Sequence, residues 1–246
     1  RCKLELQGKT ALVTGGGVRL GRRFALTLAK EGVHLIIHFN KSDDSAIKTV
    51  QEAKSYGVKA IALEADFDDM KAVEDLFPIA LQHFEDVDIL INNAGIYLSG
   101  SGLETNRETW ERQFRINLET PFLLTQAFVK QLPENRQGRI LNIADAQIIQ
   151  TRLDHFAYRI TKYAMVEMTR MFAKELAPNI AVNALGLGIM LPLAGRDDVD
   201  LKAYARKNVP MDRIGSPEIA AENALHLIKS DFTTGAFLRV DGGQYL

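Results

Sequence analysis

The chain has 246 residues, 46% of them hydrophobic and 25% charged, with a formal net charge of −1. That mix excludes a disordered chain, and the balanced charge excludes a surface built for a polyanion such as nucleic acid. A single cysteine, Cys2, excludes an internal disulfide or a thiolate metal site, and no apolar run approaches the roughly 20 residues that cross a bilayer.

The opening RCKLELQGK has the pattern of neither a signal nor a transit peptide, and its start at Arg1 predicts a trimmed or processed chain. With one cysteine and no targeting segment, a reducing, cytoplasmic location is expected. Short β-branched runs follow at 10–15, 33–39, 59–66, 88–95, 139–145, 180–186 and 236–243, separated by longer segments. They read as the strands of a parallel sheet. RLGRRFALTLAKEG (19–32) spaces Leu20, Phe24 and Leu28 along one helix face and stops at Gly32, and DDMKAVEDLFPIALQHF (68–84) repeats the period. Strand–helix alternation with right-handed crossovers predicts an α/β, doubly wound parallel sheet in a single domain over 1–246, binding its ligand beyond the carboxyl ends of the strands. Segment 187–216 is rich in turn residues and is expected to form a mobile lid.

Four stretches carry chemistry. TGGGVRLGR (14–22) follows the first strand and opens a helix, where backbone N–H groups can receive a pyrophosphate; its spacing is Gly15-x-Gly17-x-x-x-Gly21, and a glycine cluster alone is more often a plain turn. HFNKS closes the second strand, where His38, Asn40, Lys41 and Ser42 offer donors and positive charge to a ribose 2′-phosphate; the other reading is a solvated loop, since Asp43 and Asp44 follow. In HFAYRITKY (155–163), Tyr158 and Lys162 share a helix face, and an ammonium beside a phenol lowers its pKa; alone, this spacing is usually an ordinary helix surface. RILNIADAQ (139–147) is an apolar strand ending in Asp145, either a proton donor or a cap.

In this order, the motifs resemble the short-chain dehydrogenase/reductase family over nearly the whole chain. The resemblance implies a Rossmann fold of about seven strands with helices on both faces. TGGGVRLG, with Gly15, Arg19, Leu20 and Gly21, matches the family's glycine segment; EADF, with Asp66 and Phe67, matches its adenine contact; and INNAG, with Asn93, Ala94 and Gly95, matches its segment after the fourth strand. Asn117 in RINLETPF matches a helix asparagine that organises a proton-relay water, Tyr158 and Lys162 match the catalytic pair that also contacts the cofactor, and VNALGLG, with Gly188, and VDGG match later landmarks.

Asp145 stands thirteen residues before Tyr158, where ordinary members carry serine. Together with Arg19, RLGR, NIADA and the strand-end H-x-N-K-S, this resembles pteridine reductases, with dihydromonapterin reductases as similar neighbours. The resemblance implies that Arg19 lies near cofactor phosphates and substrate and that Tyr97 stacks on a pterin, although Tyr97 also reads as a loop aromatic. Leu187 replaces the proline usual before Gly188. The expected function is NADPH-dependent hydride transfer to a pterin-like C=N bond. Asp145, its pKa raised by burial, forms a relay with Tyr158 and Lys162, and the substrate is held by Arg19, Tyr97, Asp145 and Tyr158. The alternatives are a carbonyl or 3-oxoacyl-type reductase and a non-catalytic dinucleotide sensor. Family members are usually tetramers, and YRITKYAMVEMTRMFAKELA is apolar on more than one face, so a homotetramer is expected, with no metal, membrane or nucleic-acid partner.

Overall fold

The computed structural model describes residues 5–192 and 200–246, so Cys2 and the 193–199 part of the expected lid lie outside the described residues. Seven strands are seen among the described residues: β1 Thr10–Val13, β2 His34–Phe39, β3 Ala60–Glu64, β4 Ile89–Asn92, β5 Gly138–Asp145, β6 Ile180–Leu187 and β7 Phe237–Val240. All pair in parallel, in the order β3-β2-β1-β4-β5-β6-β7. The direction of progression reverses between β1 and β4, which opens a crevice at their carboxyl ends. The helices are α1 Arg19–Lys30, α2 Asp43–Ser55, α3 Met70–Ala80, α4 Arg107–Phe114, α5 Thr120–Gln131, α6 Phe156–Leu176, α7 Leu201–Asn208 and α8 Pro217–Lys229.

The alternation of each strand decides which helices it meets. Ala11, Val13, Leu35, Ile37, Ile89 and Ile91 pack against α1, α2 and α8, whereas Leu12, Ile36, Leu90, Ile140 and Val182 pack against α3, α5 and α6. Several elements are shorter than the sequence pattern suggested. The helix expected from 68 begins at Met70 because the Asp69 side chain accepts the Lys71 N–H at 2.9 Å. The last strand stops at Val240 because Gly242 and Gly243 adopt φ of +62° and +81°. β6 runs one residue further than expected, through Leu187, which keeps the N–H that a proline would lack. The expected lid is partly regular: Asp200 accepts the Lys202 and Ala203 N–H groups and starts α7.

Candidate active site

The glycine segment turns sharply between β1 and α1. Gly15 sits at φ +61°, and a Cβ on Gly21 would lie 2.1 Å from the Gly15 carbonyl oxygen, so only glycine allows this approach. Thr14, unremarked in the sequence reading, ties this loop to the next segment: its Oγ1 accepts the N–H groups of Asn93 and Ala94, each at 2.9 Å. Asn93 Nδ2 returns a donor to the Thr14 carbonyl at 2.8 Å. Val18, before α1, supplies no side-chain cap and the first turn holds no acidic residue, so the positive start of α1 faces the crevice uncapped. The crevice here is a cavity of about 360 Å³ whose wall includes Gly15, Leu20, Gly21, Asp66, Ala94 and Gly95. It shares Arg19, Leu20, Asn93, Gly95 and Ile96 with a second cavity of about 530 Å³. A trough with a glycine-lined floor and an uncapped helix start fits an extended phosphate-bearing dinucleotide.

At the far end the structure corrects the expected role of His38. His38 is buried, and both ring nitrogens are occupied: Nδ1 accepts the Gly15 N–H at 3.1 Å, and Nε2 pairs with the Ala65 carbonyl at 2.9 Å. Burial pushes its pKa down to about 4, so it is neutral and offers no charge to a phosphate; it braces the glycine loop against the end of β3. Phe67 stacks on His38 with centroids 4.1 Å apart, and both line the trough together with Asn40 and Asp66. Asn40 Nδ2 donates to Asp66 Oδ1 at 3.0 Å, while Lys41 is exposed and Ser42 precedes α2 without capping it. The buried, neutral His38 makes stability pH-dependent. Between pH 6.5 and about 4 the unfolded chain takes up a proton that the folded one refuses, so the contribution is present above pH 6.5 and is lost on acidification. The interval is worth about 3 kcal/mol at roughly 1.4 kcal/mol per pKa unit. Denaturant unfolding across this window should show stability falling with acid in the wild type and a shallower fall in His38→Gln; equal slopes would contradict the assignment.

The catalytic end lies where β5 meets α6. Asp145 is the last residue of β5, paired in register with Leu187, and the first turn of α6 brings Tyr158 over it. Tyr158 O–H donates to Asp145 Oδ2 at 3.0 Å. Asp145 is part-exposed, and it also caps the following turn, since Oδ1 accepts the Gln147 N–H at 2.8 Å and Oδ2 accepts Gln147 Nε2. The cap reading is therefore seen at Oδ1, while Oδ2 faces the Tyr158 hydroxyl. The expected enclosure among apolar groups is replaced by three donors, because the strand-end turn folds its own N–H and amide back onto the carboxyl.

Lys162 donates to the Ile143 carbonyl at 2.8 Å and stands 5.8 Å from the Tyr158 ring centre. The expected lowering of the phenol pKa is overturned: burial first, then the Asp145 charge, push Tyr158 well above its ordinary value. The phenol keeps its proton and is a donor. Burial of Lys162 lowers its pKa to about 8.

The remaining expected residues also find places. Asn117 is buried; its Oδ1 accepts the Ile96 N–H at 2.8 Å and its Nδ2 donates to the Ile96 carbonyl at 2.9 Å, which holds the 93–97 segment. Tyr97 reaches the larger cavity, where one face of its ring packs on His155 at 3.9 Å and the ring meets Tyr158 edge-on at 4.6 Å. Arg19, at φ +50°, lines both cavities and donates through Nη2 to the Pro192 carbonyl at 2.6 Å. Gly188 donates to the Val240 carbonyl at 3.0 Å, and a Cβ there would lie 2.8 Å from Asp241 Cα. Gln147 and Arg159 were missed. The available signal was the buried α6 stripe Arg159, Lys162, Val166, Thr169 and Ala173, spaced i+3 and i+4, which carries two cations.

Among known proteins, the short chain dehydrogenase family profile matches residues 9–197. The chain is 32% identical to a 3-oxoacyl-[acyl-carrier-protein] reductase FabG of Aquifex aeolicus, over 99% of this chain and 100% of that one. It is 31% identical to glucose 1-dehydrogenase 2 of Bacillus subtilis, over 98% and 96%. Among solved structures, FolM alternative dihydrofolate reductase 1 from Brucella canis, complexed with NADP, superposes with a TM-score of 0.92 at 28% identity, covering 98% of this chain and 95% of that one.

Proposed function

Since this chain belongs to the short chain dehydrogenase family, we propose that it is an NADPH-dependent reductase acting on the C=N bond of a pterin or pterin-like heterocycle. The observation that carries this reading is the 3.0 Å contact between Tyr158 O–H and Asp145 Oδ2 at the wall of the larger cavity. A serine at 145 would supply a hydroxyl suited to a ketone oxygen; a carboxyl adds an exchangeable proton, which a reduced ring nitrogen needs. Likeness to a FolM structure complexed with NADP supports both cofactor and substrate class. Bound in the trough, NADPH supplies the hydride. Tyr158, kept protonated by burial, donates to the nitrogen, and Asp145, part-exposed at the cavity, takes a proton from solvent and passes it to the resulting tyrosinate through the same hydrogen bond. Asn117 fixes the segment that carries Tyr97, and Lys162 places a cation beside the pair. A second reading, reduction of ketones with Asp145 only orienting the substrate, is favoured by the FabG and glucose dehydrogenase relatives.

NADPH oxidation followed with dihydrobiopterin, dihydromonapterin, dihydrofolate and a ketone panel separates the two readings. Turnover of the pterins is expected, and turnover of ketones alone would exclude the pterin reading. The exposed Ile160, Tyr163 and Met171 on α6, whose Val166 is core, support assembly through this helix. Light scattering should give a tetramer, and a monomer at micromolar concentration would refute the assembly.

A further inference from the structure

We propose that Arg159, acting through the side-chain amide of Gln147, positions Asp145 and holds it as an acceptor against Tyr158; this rests on the reading of that pair as the proton relay. Arg159 is only 3% exposed on α6. Its guanidinium Nε donates to the Asp154 carbonyl at 2.8 Å, and Nη2 donates to Asp154 Oδ1 at 3.0 Å and to Gln147 Oε1 at 2.6 Å. A guanidinium has no acceptor, so Gln147 must turn its oxygen to Arg159 and its NH₂ to Asp145. That amide group, free to flip in most settings, has one orientation here, and its Nε2 donates to the same Asp145 Oδ2 that receives Tyr158 O–H. A line of hydrogen bonds, Asp154–Arg159–Gln147–Asp145–Tyr158, therefore ends at the reacting pair. A tie between α6 and the preceding turn would need only the Asp154 contacts, yet the shortest hydrogen bond of Arg159 goes to Gln147.

Other charged or titratable groups surround this part of the site. Tyr158, Lys162 and Arg159 come from α6, and Tyr97 from the segment after β4. Arg152, Asp154 and His155 come from the turn before α6, Tyr245 from beyond β7, and Arg19 from across the cavity. The Gln147 donor can be deleted by a neutral substitution that leaves every charge and the Tyr158 hydroxyl in place.

The test is a carbon-13 carboxyl NMR titration of the free protein, with the Asp145 signal identified by its loss in Asp145→Asn. Removing a donor from a charged acceptor should move the Asp145 midpoint in Gln147→Leu and Arg159→Met to higher pH by about one unit. Arg159→Lys, which keeps a donor to Gln147, should restore most of the wild-type midpoint. In NADPH-dependent turnover of dihydrobiopterin, Gln147→Leu should lower kcat by about tenfold, while the NADPH Kd stays within about twofold. Should Arg159→Met fail to fold, Gln147→Leu decides alone. An unmoved midpoint in Gln147→Leu overturns the proposal. Full activity of Asp145→Asn would instead overturn the relay reading and leave the midpoint shift in place, so the two failures are distinct.

Discussion

Asp145→Asn should keep NADPH binding and lose turnover by about 10²–10⁴-fold, the range that general acid catalysis contributes. The substitution preserves size, and Asn Oδ1 can still accept the Gln147 N–H that caps the turn, so the fold cost is small. On the other branch, an amide NH₂ replaces Oδ2 and meets Gln147 Nε2 donor to donor, and Tyr158 loses the acceptor it has at 3.0 Å. The exchangeable proton is gone and the tyrosine must turn. Tyr158→Phe should impair turnover as well, and because relay members act as a unit, the double mutant should be little worse than the poorer single mutant. Asp145→Ser adds discrimination by depressing pterin reduction more than reduction of any accepted ketone. Steady-state kinetics against pH, with NADPH binding measured separately, checks all four variants. Near wild-type pterin turnover with an unchanged pH profile in Asp145→Asn would reduce Asp145 to its capping role.

Gly21→Ala should raise the NADPH Kd by about tenfold or more and lower stability by about 1–3 kcal/mol, the usual cost of overpacking. The added methyl would lie 2.1 Å from the Gly15 carbonyl oxygen and 2.6 Å from Asn93 Nδ2, so backbone at the floor of the trough has to move. That backbone also carries the N–H held by His38 and the carbonyl held by Asn93, so the shift spreads to both walls. Gly17→Ala is the comparison: its Cβ would meet Ala46 at 3.1 Å, away from the trough, and NADPH affinity should fall less. Isothermal titration with NADPH and thermal unfolding of both variants give the ranking. Unchanged NADPH affinity in Gly21→Ala would show that the pyrophosphate does not rest on this floor.

The sheet was legible in the chain's own pattern, because a period of two in apolar runs and of nearly four between them leaves few ways to bury both. The same pattern showed that Gly15 and Gly21 close a turn at the first helix, that Tyr158 and Lys162 share a face, and that Asp145 ends a strand, since each depends on local spacing alone. What those groups touch was decided only by tertiary structure. His38 looked like a phosphate donor in HFNKS, but packing places it between Gly15 and Ala65, 23 and 27 residues away in the chain. Lys162 was expected to act on its neighbour four residues back; the register of β5 instead offers it the Ile143 carbonyl, and burial outweighs its charge at Tyr158. Arg159 and Gln147 escaped notice because they stand twelve residues apart, and the α6 stripe that carries Arg159 does not show which residue of the preceding turn it meets. Spacing along the chain fixes which side chains share a face, whereas a hydrogen bond or a pKa depends on distances and burial that only the packed fold sets.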